Sequence, residues 1–141
     1  MGAQEIIDML AMKRHPEGGW YSETFRDSEG GSGGHSTAIY YLLEAGDRSH
    51  WHRVFGSAEV WHHYDGDALE LSISSDGKTS QTHILGKDLQ TGQRPQIVVR
   101  PNEWQSARPL GDWTLVGCTV APGFEFANFE MAPSGWMPGQ T

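Results

Sequence analysis

Four of the chain's seven histidines fall within fourteen residues, as His50, His52, His62 and His63, and Glu59 lies between the two pairs. Imidazole changes its protonation near neutral pH, and a carboxylate beside it is a common partner for proton transfer or metal ligation. His50 and His52 stand two apart in a β-rich run, a spacing that puts both rings on one face of a strand. After a turn at Gly56-Ser57, the same alternation groups Glu59, Trp61 and His63 and sends Val60, His62 and Tyr64 to the other face. His50, His52, Glu59 and His63 are therefore the candidate catalytic acids and bases. His50, His52 and Glu59 also form the two-histidine, one-carboxylate set that suits a divalent metal such as non-haem iron. The plainer role for these imidazoles, next to Trp51 and Trp61, is as hydrogen-bonded wall residues. The isolated His15, His35 and His83 are assigned surface or structural roles.

Further residues are candidates for ligand binding. Tyr21, Glu23 and Phe25 alternate on one face of a first strand and would offer a phenol and an acid to a pocket. Arg48 and Arg53 are the cations nearest the histidines, suited to holding an enolate or a phosphate. Trp61 shares the face of Glu59, and Trp104-Gln105 would close the pocket by stacking on a flat or cyclic ligand. Cys118, between Val116 and Val120 on one face of an apolar strand, reads as a buried inert thiol.

The elements that must position these side chains are short strands. Turn signals recur about every ten residues from Trp20 onward, among them Gly46-Asp47, Gly56-Ser57, Asp76-Gly77 and Pro122-Gly123. Between them lie β-rich runs at 20–26, 37–43, 49–54, 59–64, 69–74, 80–85, 96–99, 104–107, 114–120 and 124–131. Such spacing predicts a sandwich or barrel rather than βαβ units. One helix is expected over 3–14, with Ile6, Ile7, Leu10 and Ala11 on one face and His15-Pro16 ending it. Eighteen glycines with six Trp, four Tyr and five Phe fit many tight turns around an interior filled by wide side chains.

Composition narrows the class of function. The 141 residues fit one domain, placed at 1–132, followed by a loose tail at 133–141. A net charge of −8 argues against nucleic acid and anionic membranes as partners, since both need clustered Lys and Arg. A single cysteine precludes an internal disulfide and a multi-cysteine zinc site. With no basic leader and no membrane-length apolar run, the expected location is cytoplasmic. A homodimer is expected, because pairing covers sheet edges and exposed aromatics.

The series Gly46-x3-His50-x-His52-x6-Glu59-x6-Gly66 resembles the first cupin motif, with its Glu-to-Gly spacing intact and its other gaps altered by two or three residues. The second cupin motif has its nearest match at Pro101–Ser106, where Gln105 or Ser106 stands in place of the expected histidine. A closer likeness runs from the helix to about Ala132. His15-Pro16-Glu17-Gly18-Gly19-Trp20-Tyr21, Ser36-Thr37-x-Ile39-Tyr40-Tyr41-Leu42, Glu59-Val60-Trp61-His62-x-Tyr64-x-Gly66 and Val116–Phe124 resemble a cupin family known only as a domain of unknown function. The resemblance implies an all-β cupin-type double-stranded β-helix, a jelly-roll barrel with one short N-terminal helix. That shape is shared with sugar-nucleotide epimerases, and the resemblance carries no established activity.

Three functions follow as expectations. The first is a metal-independent isomerase or epimerase acting on a sugar-like small molecule through His and Glu proton transfer. The second is a metal-dependent, oxygenase-like cupin whose divalent metal sits on His50, His52 and Glu59. The third is a non-catalytic small-molecule binding or sensing module using the same pocket.

Overall fold

In the computed structural model, which describes residues 1–140, the helix α1 spans Ala3–Met9 and is shorter than the sequence predicts. Leu10 caps it, Ala11 turns left-handed at φ 53°, and Met12 folds back to bury with Ile6, Ile7 and Leu42. Lys13 and Arg14 are thereby drawn into a sheet instead of a last helical turn. Burial of Met12 and pairing with Trp20 and Tyr21 override the intrinsic helical preference of these residues. That preference is worth only about a few tenths of a kcal/mol each, a scale that tertiary packing routinely outweighs.

Eleven strands follow: β1 (Lys13–Arg14), β2 (Trp20–Arg26), β3 (Thr37–Glu44), β4 (Ser49–Val54), β5 (Ala58–Gly66), β6 (Leu69–Ser74), β7 (Gln81–Leu85), β8 (Gln96–Val99), β9 (Trp104–Pro109), β10 (Trp113–Ala121) and β11 (Phe129–Met131). They form two antiparallel sheets, ordered β1-β2-β3-β10-β5-β8 and β11-β4-β9-β6-β7. Neighbours that are distant in sequence, such as β3 with β10 and β4 with β9, give the jelly-roll wrapping. Tyr41, Leu43, Trp61, Leu71 and Val116 are almost wholly buried between the sheets. Each such apolar side chain contributes about 1.5–3 kcal/mol of burial. The helix covers the outer face of the first sheet, against Leu42, Trp20 and Trp113.

The C-terminal segment corrects two further expectations. The predicted strand at 124–131 is interrupted by a 3₁₀ turn at Phe126–Asn128, and only Phe129–Met131 pairs, with β4. Phe124, Phe126 and Phe129 pack on one another with ring centroids 4.9–5.8 Å apart, and alternation could not bring all three together. The described part of the tail is docked. Trp136 packs edge-on against Trp51 at 6.0 Å and lies 4.7 Å from Trp104.

Candidate active site

One cavity opens between the sheets, with about 560 Å³ of empty space, mouth included. His52, Glu59, Glu17 and His15 line its interior, and Tyr21, Glu23, Arg26 and the three phenylalanines stand around it. Two of the strands, β4 and β2, deliver their residues through a local irregularity.

The β4 strand carries a bulge. Ser49 pairs with Ala107 and His52 with Gln105, so three steps on β4 match two on β9. One extra residue therefore leaves Ser49 and His52 on the same, inward side. His50 and Trp51 are turned away from the cavity. The His50 ring bonds the Pro133 carbonyl through Nε2 at 3.0 Å, and Trp51 packs on Trp136. The expectation that His50 and His52 share a face fails for this reason, and the set His50, His52 and Glu59 does not converge. That donor set does not fit a divalent metal. No other group of three His, Cys, Asp or Glu side chains among the described residues is arranged to hold one.

A second bulge re-aims β2. Glu23 pairs with Ile39 and Phe25 with Ala38, which inserts Thr24 as the extra residue. Tyr21 and Glu23 line the cavity as the alternation predicts, whereas Phe25 is turned to solvent and Arg26 takes its place. On β5 the buried side chains are Glu59, Trp61 and His63. At about 3.3 Å per residue His63 lies roughly 13 Å beyond Glu59. Trp61 fills the space between them in the core, and the His63 ring bonds the Asp67 carbonyl at 3.0 Å.

The remaining expected ligand-binding residues lie elsewhere. Arg48 donates to Ser106 Oγ at 3.1 Å. Arg53 is held by Glu130 at 2.6 Å and lies over the Trp104 ring on the outer side of β4. Trp61 and Gln105 do not line the cavity but support it. Trp61 Nε1 donates to Gln105 Oε1 at 2.8 Å, which fixes the amide so that Nε2 donates to Glu59 Oε1 at 2.9 Å.

Glu17 is the residue that the spacing arguments missed. It sits in the turn between β1 and β2, closed by His15 N–H to the Gly19 carbonyl at 2.9 Å and docked on β4 by His50 N–H to the Glu17 carbonyl at 2.9 Å. Gly18 and Gly19 have φ of 110° and 80°, and a Cβ on Gly18 would collide with the Arg48 carbonyl. The turn thus presses the Glu17 carboxylate into the barrel. Its Oε2 lies 3.0 Å from His52 Nδ1 and accepts from Ser49 Oγ, while Oε1 lies 3.3 Å from His15 Nδ1. The visible signal was its place in the His15–Tyr21 motif.

The protonation pattern follows from burial and pairing. Burial opposes a charge on His52, but Glu17 at hydrogen-bond distance outweighs it, and the pKa is pushed up to about 9. Burial alone would raise Glu17, yet the His52 charge and hydrogen bond hold its carboxyl below the ordinary range. For Glu59, burial and the nearby Glu17 charge raise the pKa, and the opposing pulls of His52 and Gln105 do not cancel them. Burial keeps His15 neutral, with Nδ1 accepting the Glu17 N–H at 3.1 Å. Burial also pushes the Cys118 thiol well up, so it is no nucleophile at neutral pH. The cavity therefore holds an imidazolium whose Nδ1 is occupied by Glu17 and the His50 carbonyl, and whose Nε2 has no protein partner among the described residues. Near it stands a carboxylate of raised basicity.

The two wrapped sheets and the titratable groups between them define a cupin-type jelly-roll barrel with an interior site. The chain belongs to the family described as Cupin superfamily (DUF985), whose family model matches residues 4–132. A Shewanella oneidensis protein solved by X-ray crystallography is 34% identical, covers 94% of this chain and is itself covered over 85%, and superposes with a TM-score of 0.89. A hypothetical protein from Leishmania major is 26% identical with a TM-score of 0.85, over 96% of this chain and 90% of its own. A dTDP sugar isomerase from Desulfovibrio desulfuricans shares the fold at 12% identity and a TM-score of 0.63, over 86% of this chain and 87% of its own. No curated protein matches the chain in sequence. No helix among the described residues is long and apolar enough to cross a membrane.

Proposed function

We propose that the protein is a metal-independent isomerase or epimerase of small hydroxy-carbonyl compounds. The observation that carries this reading is the buried Glu17–His52 ion pair in the same cavity as Glu59. Glu59, with its raised pKa, takes the proton from the carbon next to the carbonyl. His52 Nε2–H donates to the carbonyl oxygen as the charge develops, giving an enediol and neutral imidazole. Glu17 stabilises the charged imidazole and fixes its orientation. Glu59 then gives its proton to the other carbon while the neutral imidazole takes the proton of the other enediol oxygen, which completes isomerisation. A proton delivered to the opposite face by the Tyr21 phenol, which also lines the cavity, gives epimerisation. Neither route changes the net oxidation state. The same fold is found in a dTDP sugar isomerase from Desulfovibrio desulfuricans, which is consistent with this reading.

The test is proton exchange. A panel of hydroxy-ketones and hydroxy-aldehydes is incubated with the protein in D₂O, and ¹H NMR follows loss of the C–H signal beside the carbonyl. Glu59→Gln and His52→Asn should each slow exchange by roughly 10²–10⁴-fold. A chelator should leave the rate unchanged. Exchange that persists in both variants, or that chelation abolishes, would overturn the assignment.

A further inference from the structure

Glu23 at the mouth of the cavity suggests what kind of molecule enters. Among the described residues, Arg26 is the only Arg or Lys lining the cavity. Its guanidinium is already neutralised. Nε donates to Glu23 Oε1 at 3.0 Å and the second terminal nitrogen to Oε2 at 3.1 Å, a bidentate fork, while the first terminal nitrogen donates to the Phe124 carbonyl at 2.8 Å. The only other cationic lining group, His52, is matched by Glu17. Arg48 and Arg53, the cations that could have held a phosphate, are engaged away from the cavity. The rest of the lining carries no cation: besides Glu59 it is neutral imidazole and phenol, a hydroxyl and a thiol, aliphatic side chains, and the apolar rings of Phe124, Phe126 and Phe129. An entering phosphate or carboxylate would lose its hydration without gaining an unpaired cation, and it would face Glu23 and Glu59. An uncharged polyol loses less and can lay its C–H face on the phenylalanines.

Resting on the isomerase reading, we propose that the substrate is an uncharged sugar-like hydroxy-carbonyl, and that Glu23 excludes phosphorylated and nucleotide-linked sugars by occupying Arg26. Glu23 is thus a specificity-determining residue rather than an acid in the reaction.

The experiment compares matched probes on the whole chain: dihydroxyacetone with its phosphate, D-xylulose with its 5-phosphate, and dTDP alone. Binding is read by calorimetric titration and exchange by ¹H NMR in D₂O. The wild type should bind the uncharged member of each pair at least about tenfold more tightly, and dTDP not at all. In Glu23→Gln, freeing Arg26 should shift the preference toward the phosphorylated member of each pair by about tenfold or more. The Glu23 side chain is 40% exposed, and an unchanged thermal midpoint of the variant confirms that folding is not what changed. If the wild type prefers the phosphorylated members or dTDP, or binds neither set, or if Glu23→Gln leaves the preference unaltered, the inference is overturned. Binding preference as expected but with no exchange on any probe would sustain the substrate class and sink the proton-transfer reading alone.

Discussion

His52 bonds the buried carboxylate of Glu17, beside which the neutral His15 ring also stands, whereas His62 and His63, further along the same barrel, bond no carboxylate among the described residues. Both regions place imidazole beside aromatic rings: Tyr21 at His15 and Phe129 at His52 in the first, and Tyr64, stacked on His62 at 6.3 Å, in the second. His62 bonds Thr119 Oγ1 at 3.2 Å and His63 the Asp67 carbonyl, and His63 Nδ1 is buried without a partner. Density of histidine therefore does not mark the site. What distinguishes the first region is a carboxylate in the same desolvated space, which holds on the His52 imidazole a charge that chemistry can use.

Removing that carboxylate should produce the largest effect. Glu17→Gln should lower the His52 pKa from about 9, as followed by NMR titration of the ring, and slow exchange on an accepted substrate by roughly 10²-fold or more. If the pKa does not move, the contrast between the two regions has another cause.

Next in size is Gln105→Leu. The substitution strands Trp61 Nε1 and Glu59 Oε1, both buried, and should cost about 1–3 kcal/mol in chemical denaturation.

The pH dependence sharpens the comparison further. A histidine whose pKa is raised on folding contributes stability in full below its ordinary 6.5, and loses it as the pH climbs through about 9. Glu17, lowered from its ordinary 4.5, contributes above that value and loses its contribution as the pH falls. Glu59, raised, favours the folded state less as the pH rises through its folded value. Denaturation midpoints should therefore decline between about pH 6.5 and 9, and Glu17→Gln should flatten that decline. The smallest effect is expected at His62→Ala, within about 0.5 kcal/mol in chemical denaturation.

Much of the architecture was legible because it depends on local pattern. The runs at 49–54, 69–74 and 96–99 coincide with β4, β6 and β8, where turn residues bound alternating or apolar stretches. The site was legible only in part. His52 and Glu59 were named from spacing, but Glu17 reaches His52 from a turn 35 positions earlier, a contact that no local interval encodes. The bulges at Ser49–His52 and Glu23–Phe25 were equally hidden. Each depends on register with a partner strand, so the sequence of one strand cannot show that it holds one residue too many.

That surplus residue in β4 makes the strand behave like a text with one spare letter. Deleting His50 would leave Ser49, Trp51 and His52 in strict alternation opposite Ala107 and Gln105, with Ser49 and His52 still inward. Half of the most conspicuous His-x-His signature should therefore be removable by a one-codon deletion that keeps the strand in register, at the cost of the His50 backbone contacts to Glu17 and His52. Deleting Arg53, beyond the surplus, offers no such slack and should turn Val54 away from the barrel. Tolerance of shortening, rather than of substitution, would then map where this strand keeps count.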